Sequence, residues 1–166
     1  HRIDKDTSGC LMISKKRSSL VFLQELLRKP GSISKRYTAL VHGDWPEKLT
    51  HINQALETYS NEGRERWTKV SASGKTARTG FRKITGNEDF SLIEAFPITG
   101  RTHQIRVHAL WARHPIAGDL RYGDKFKEAV LGLKIRMMLH ASQISIPQNK
   151  HVGKVDVECP LSHEFT

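Results

Sequence analysis

The chain has 166 residues, 37% of them hydrophobic, with two cysteines and 27 lysines and arginines against 17 acids. That length supports one ordinary domain that buries its own core without disulfide or metal staples. A formal charge of +10, with no apolar run long enough to span a bilayer and no secretion leader, argues against a helical membrane protein or a secreted disulfide scaffold, and favours a polyanionic partner in the cytoplasm.

The chain opens with a polar loop, HRIDKDTSG, and the apolar residues 10–14 after it are read as a strand. Lys15, Lys16 and Arg17 precede Leu20, Leu23, Leu26 and Leu27, whose spacing predicts a helix ended by Pro30 and Gly31. Residues 35–43 alternate Tyr37, Ala39 and Val41 with Arg36, Thr38 and Leu40, the period of a strand. Further strands are expected over 66–71, 76–84, 90–96, 137–146 and 154–158, with turns at 73–75 and 86–89. Residues 102–113 repeat Ile105, Ala109 and Ala112 as a helix does, with Thr102 as the expected cap and Pro115 just beyond. Many strands and few helices predict an α+β fold, a single domain built on a curved, largely antiparallel or mixed sheet.

Two segments concentrate polar chemistry. Asp4 and Asp6 suit a reactive carboxylate or an Asx-turn with Gly9 at an unusual backbone angle, and local sequence favours the turn. TGRTHQIRVH at 99–108 gathers Arg101, His103, Gln104, Arg106 and His108 at a helix start, where cations bind phosphates or a buried arginine fixes a carboxylate. A solvated basic helix face with one core histidine is the plainer alternative. No metal is expected, because His103, His108 and His140 lack ligand spacing. Nucleotide-phosphate, dinucleotide and nucleophile-elbow motifs are missing as well.

Taken in order, HRIDKDTSG, KRYTALVHG at 35–43, TGRTHQIRVH at 99–108, HPIAGDLRYG at 114–123 and MLHA at 138–141 resemble the RluA-type RNA pseudouridine synthases over nearly the whole chain. The turn at 73–77 and the overall spacing are most similar to the branch acting on bacterial large-subunit ribosomal RNA. The resemblance implies a pseudouridine synthase fold, an isomerase acting on uridines of 23S ribosomal RNA or a large-subunit precursor, and no cofactor. It also implies a role for each matched residue. Asp4, and not Asp6, falls on the catalytic aspartate; Tyr37 stacks on the flipped uracil and helps remove its C5 proton; Arg106 pairs with Asp4. Arg2 fills the gap left by the base, and Leu139 gives an apolar contact beside it. Ile3 replaces the family's usual leucine, a conservative change.

Lys35, with Lys15, Lys16, Arg17 and Arg36, is a candidate phosphate contact, and a monomer is the default expectation. Relatives carry upstream strands with a Lys-Pro motif, and many carry an S4-like RNA-binding domain before them; both are expected to be lacking from 1–166. Two rival classes make different predictions. A non-catalytic RNA-binding module, suggested by charge and by Trp45, Trp67 and Trp111, binds RNA regardless of Asp4, whereas an N-glycosidase releases free base.

Overall fold

A computed structural model describes residues 1–60, 63, 65–132, 134–148 and 153–165. Strand β2 (Ser34–His42) forms one residue ahead of the expected 35–43, is buried on both faces at Thr38, Ala39, Val41 and His42, and pairs antiparallel with β7 (Phe90–Pro97) on one edge and β8 (Leu139–Ile146) on the other. Around this centre lie β6 (Thr79–Gly86), β3 (His51–Ile52), β9 (Val155–Glu158) and β1 (Ser8–Gly9), giving a seven-stranded sheet among the described residues. Its order is β1-β8-β2-β7-β6-β3, with β9 also on β8. Only the short β1 runs parallel to its neighbour, so the sheet is mixed and largely antiparallel and the fold is α+β, as expected.

One face of the sheet carries the main core, in which Ala39, Val41, Ile93, Ala95, Phe81 and Leu139 pack with Ile105 and Ala109 of helix α2 (Gln104–Trp111). A second cluster of Cys10, Ile33, Ala141, Ile144 and Ile146 is covered by Leu23, Leu26 and Leu27 of helix α1 (Arg17–Arg28). The β6–β7 turn at 86–89 forms because the Asn87 side chain accepts from the amides of Asp89 and Phe90, both at 2.9 Å.

Several sequence expectations need correction. No strand forms over residues 10–14; the strand here is the two-residue β1 just before them, and although Cys10 and Met12 pack on the second core cluster, Leu11 and Ile13 are 48% and 80% exposed. Helix α2 is shorter than 102–113, and Thr102 does not cap it: His103, at a left-handed φ of 52°, occupies the cap position without a side-chain bond. The strand β4 (Leu56–Ser60) was not anticipated. It pairs with β5 (Arg66–Val70) in a separate ribbon and, through Leu56, bridges Lys75; within β4 Leu56 alone is buried, so the alternation that marks a half-buried strand is missing. Helix α3 (Lys125–Val130) buries no residue and therefore has no apolar stripe; it is started by Asp124, whose side chain accepts from the amide of Lys127 at 2.9 Å. A 3-10 turn (His163–Phe165) was likewise not foreseen.

Candidate active site

The opening loop is anchored at both ends of its turn. The Thr7 amide donates to the Asp4 carbonyl at 3.0 Å, and the Cys10 amide donates to Ala141 of β8 at 2.9 Å. Gly9 between them has φ +104°, and a Cβ there would run into the Ala141 backbone, so glycine is required both by conformation and by space. Ser8 is fixed from β8. His140 Nε2 donates to the Cys159 carbonyl at 3.1 Å, which leaves its Nδ1 to accept from Ser8 Oγ at 2.8 Å. The turn expected from sequence therefore exists, but the main chain closes it, and the Asp4 carboxylate is directed elsewhere.

It is directed at Arg106. Arg106 Nη1 donates to Asp4 Oδ2 at 3.1 Å, and the arginine is only 7% exposed, which overturns the solvated-face alternative. The fork of the guanidinium faces another residue: Nε and Nη2 donate to the two oxygens of Asp119, each at 2.7 Å. Arg106 thus bridges two carboxylates, with the paired hydrogen bonds on Asp119 and a single one on Asp4. Beneath it lies the Tyr122 ring, whose centroid is 4.9 Å from Cζ. Burial opposes charge on Asp119, but the bonds and charge of Arg106 and the amides of Tyr122 and Arg121 outweigh it and hold this carboxyl below its ordinary range. Burial likewise works against the Arg106 cation, and Asp119 and then Asp4 more than compensate.

The segment before α2 is held by Gln104, whose amide makes four bonds. Its oxygen accepts from Thr99 Oγ1 and the Arg101 amide, and its nitrogen donates to the Arg78 carbonyl and Thr79 Oγ1. Thr79 in turn donates to Nδ1 of fully buried His108, which donates from Nε2 to Gln54; this is the expected core histidine, kept neutral by burial. His103 Nδ1 is hydrogen-bonded at 2.8 Å to the Tyr122 hydroxyl, which also accepts from the Thr68 amide. Burial holds its imidazole below the ordinary range, although the Asp4 charge opposes this. The three histidines singled out earlier serve three separate networks. Among the described residues, no group of three or more acidic, histidine or cysteine side chains is placed to hold a metal.

All six residues singled out for the site, Asp4, Tyr37, Arg106, Arg2, Leu139 and Lys35, line one cavity of about 280 Å³. That volume lies at the small end of ligand pockets, which run from roughly 300 to 1,000 Å³, and is on the scale of one nucleoside. The register between β2 and β8 shifts just before Tyr37, which then pairs with Ala141, while Ala39 faces Leu139. Burial, and then the Asp4 charge, push the Tyr37 phenol up to about 12, and burial lowers the Lys35 ammonium. Arg2 is exposed at the rim, as are Lys15, Lys16 and Arg17 outside the cavity. Arg36 does not join them, being paired with Glu94 at 3.4 Å and Glu158 at 3.2 Å. Of the tryptophans cited for a binding module, Trp45 is buried in the core. Asp119 and Tyr122 were missed, although both stand in the quoted segment 114–123. A buried arginine with two carboxylates to satisfy is not visible from one spacing.

A protein-family model described as RNA pseudouridylate synthase matches residues 1–111. Ribosomal large subunit pseudouridine synthase C of Haemophilus ducreyi is 45% identical over 99% of this chain and 52% of that protein. The Escherichia coli protein of the same name is 40% identical over 97% of this chain and 51% of its own length. The chain thus spans about half the length of the curated relatives it matches. Among solved structures, human RNA Pseudouridylate Synthase Domain Containing 1 superposes with a TM-score of 0.76 at 28% identity, covering 96% of this chain and 67% of that one.

Proposed function

The chain belongs to the RNA pseudouridylate synthase family, and from that premise we propose that it converts uridines of large-subunit ribosomal RNA to pseudouridine, with Asp4 as the reacting carboxylate. The observation that carries this reading is Asp4 in a nucleoside-sized cavity, bonded through one oxygen to buried Arg106 and facing the same space as Tyr37.

The reaction breaks the bond from ribose C1′ to uracil N1, turns the base and joins C1′ to C5. A proton leaves C5 and one is gained at N1, so the change is an isomerisation that consumes no oxidant or reductant. A carboxylate serves either by attacking the sugar or by taking a ribose proton, and both roles need it ionised. Arg106 Nη1 donates to Asp4 Oδ2 and so orients that carboxylate in the cavity. The uridine must leave its stack to reach Asp4, at a cost of a few kcal/mol, with Arg2 taking the vacated place. Tyr37 presents an aromatic face for the uracil, and Leu139 lies against the same cavity. With its pKa pushed up to about 12, Tyr37 rests as a phenol at neutral pH, so it takes the C5 proton only as it releases its own hydroxyl proton to solvent, which returns one at N1. Lys35, Lys15, Lys16 and Arg17 contact phosphates and supply affinity more than sequence choice. The protein acts as a cytoplasmic monomer. Among the described residues no helix is long and apolar enough to cross a membrane.

Nucleoside analysis of large-subunit RNA after incubation tests the reaction itself. The expected result is pseudouridine appearing as uridine falls, with strand length unchanged. Free uracil with abasic RNA would mean glycosidase chemistry, and tight binding with no altered nucleoside would mean a binding module.

A further inference from the structure

We propose that Asp119 is the positioning residue of this site: it holds the Arg106 guanidinium so that one N–H alone is offered to Asp4. The inference rests on the proposed role of Asp4 and adds a residue to which no function has been given. It starts from the division of the arginine's donors. Two of the three bonds that Arg106 makes to carboxylates, both at 2.7 Å, go to Asp119, and the longer third one goes to Asp4. A guanidinium is planar, so fixing Nε and Nη2 on one carboxylate also fixes where Nη1 points.

The carboxylate that does the fixing is itself immobile. Asp119 is 1% exposed, and its Oδ1 also accepts from the amides of Arg121 and Tyr122 at 2.9 and 3.0 Å, while the Gly123 amide donates to its carbonyl. Gly118 before it has φ +73° and no room for a Cβ, so the loop that carries Asp119 packs directly against the backbone of Ile135 and Arg136. Burying such a pair gives little net stability compared with an apolar packing of the same volume, which leaves orientation as its use. The orientation has a chemical consequence. Arg106 engages only Oδ2 of Asp4, so the other oxygen is not drawn into a fork and is left to react. Asp119 also balances the cation, so Asp4 is not its sole counter-charge.

The test has two parts. In the first, the Arg106 Nε–H resonance is followed by NMR in the wild-type protein and in Asp4→Asn. It is expected to stay ordered in both, because Asp119 holds that donor; its loss on changing Asp4 alone would overturn the proposal. This part needs no Asp119 variant and no activity, so it stands apart from failure of the proposed function, which shows itself as a wild-type protein that makes no pseudouridine. In the second part, single-turnover rates and KM are measured for Asp119→Asn, Arg106→Lys and the double variant, on folded protein. Each single change is expected to lower kcat on the order of 10²-fold with KM little altered, since misplacing a reacting group by about 1 Å costs that much. The double variant should be no slower than the slower single one. Losses that multiply would mean that Asp119 does not act through Arg106, and would contradict the proposal.

Discussion

Cations are held in two different ways in this molecule. Arg106 is buried, and its donors are committed to two carboxylates and its face to an aromatic ring. Lys15, Lys16 and Arg17 are exposed, ahead of and at the first residue of α1. A charge taken out of water must be satisfied from several sides and therefore acquires a direction, whereas a solvated one keeps its freedom and acts through its field. Under the proposed function, the buried cation would set the geometry of the reaction and the exposed ones the strength of attraction to RNA. Substitutions in the first group are expected to change kcat, and those in the second KM and its salt dependence.

The largest effect is expected at the carboxylate itself. Asp4→Asn should lower turnover by at least about 10³-fold while RNA binding persists, measured as single-turnover conversion beside filter binding. Arg106→Lys comes next. It keeps the charge but cannot make the planar fork, and a loss on the order of 10²-fold in kcat is expected; a normal rate would remove the directional role of the buried cation. Gly9→Ala tests the support beneath Asp4. Backbone strain alone costs about 1–3 kcal/mol, with the contact against Ala141 added to it, and the denaturant midpoint should fall accordingly.

On the other side of the comparison, changing Lys15, Lys16 and Arg17 together to glutamine should leave kcat alone and flatten the dependence of log affinity on log salt by roughly 0.7 per lost contact for single-stranded RNA. An unchanged slope would place the RNA elsewhere. The smallest effect concerns pH. The Asp119 carboxyl is held below its ordinary range, so the stability it contributes is fully present above the unfolded carboxylate value, about 4, and is lost as pH falls through the depressed folded value. Asp119→Asn should flatten that acid limb in unfolding curves recorded from pH 6 downward.

The same contrast between buried and exposed elements explains how much could be read in advance. The strands β2, β7 and β8 carry apolar residues at strand spacing because the core closes on them, and each was expected within a few residues of its place, as was β6, which buries Phe81. Elements without a buried face, β4 and α3, left no periodic trace. The site was legible as a set of residues: Asp4, Tyr37, Arg106, Arg2, Leu139 and Lys35 meet at one cavity although they come from distant segments. What could not be read was the allocation of bonds among them. The pairing expected between Arg106 and Asp4 is a single bond, and the paired bonds go to Asp119, because the loop after Gly118 brings a second carboxylate to the arginine through a tertiary approach that no local spacing records.

The measurement that bears most directly on the central claim is single-turnover formation of pseudouridine in large-subunit ribosomal RNA by the wild-type protein and by Asp4→Asn, with bound RNA quantified in both. The account predicts conversion by the wild type and, in the variant, full binding with no conversion. Conversion that persists without the Asp4 carboxylate would contradict it.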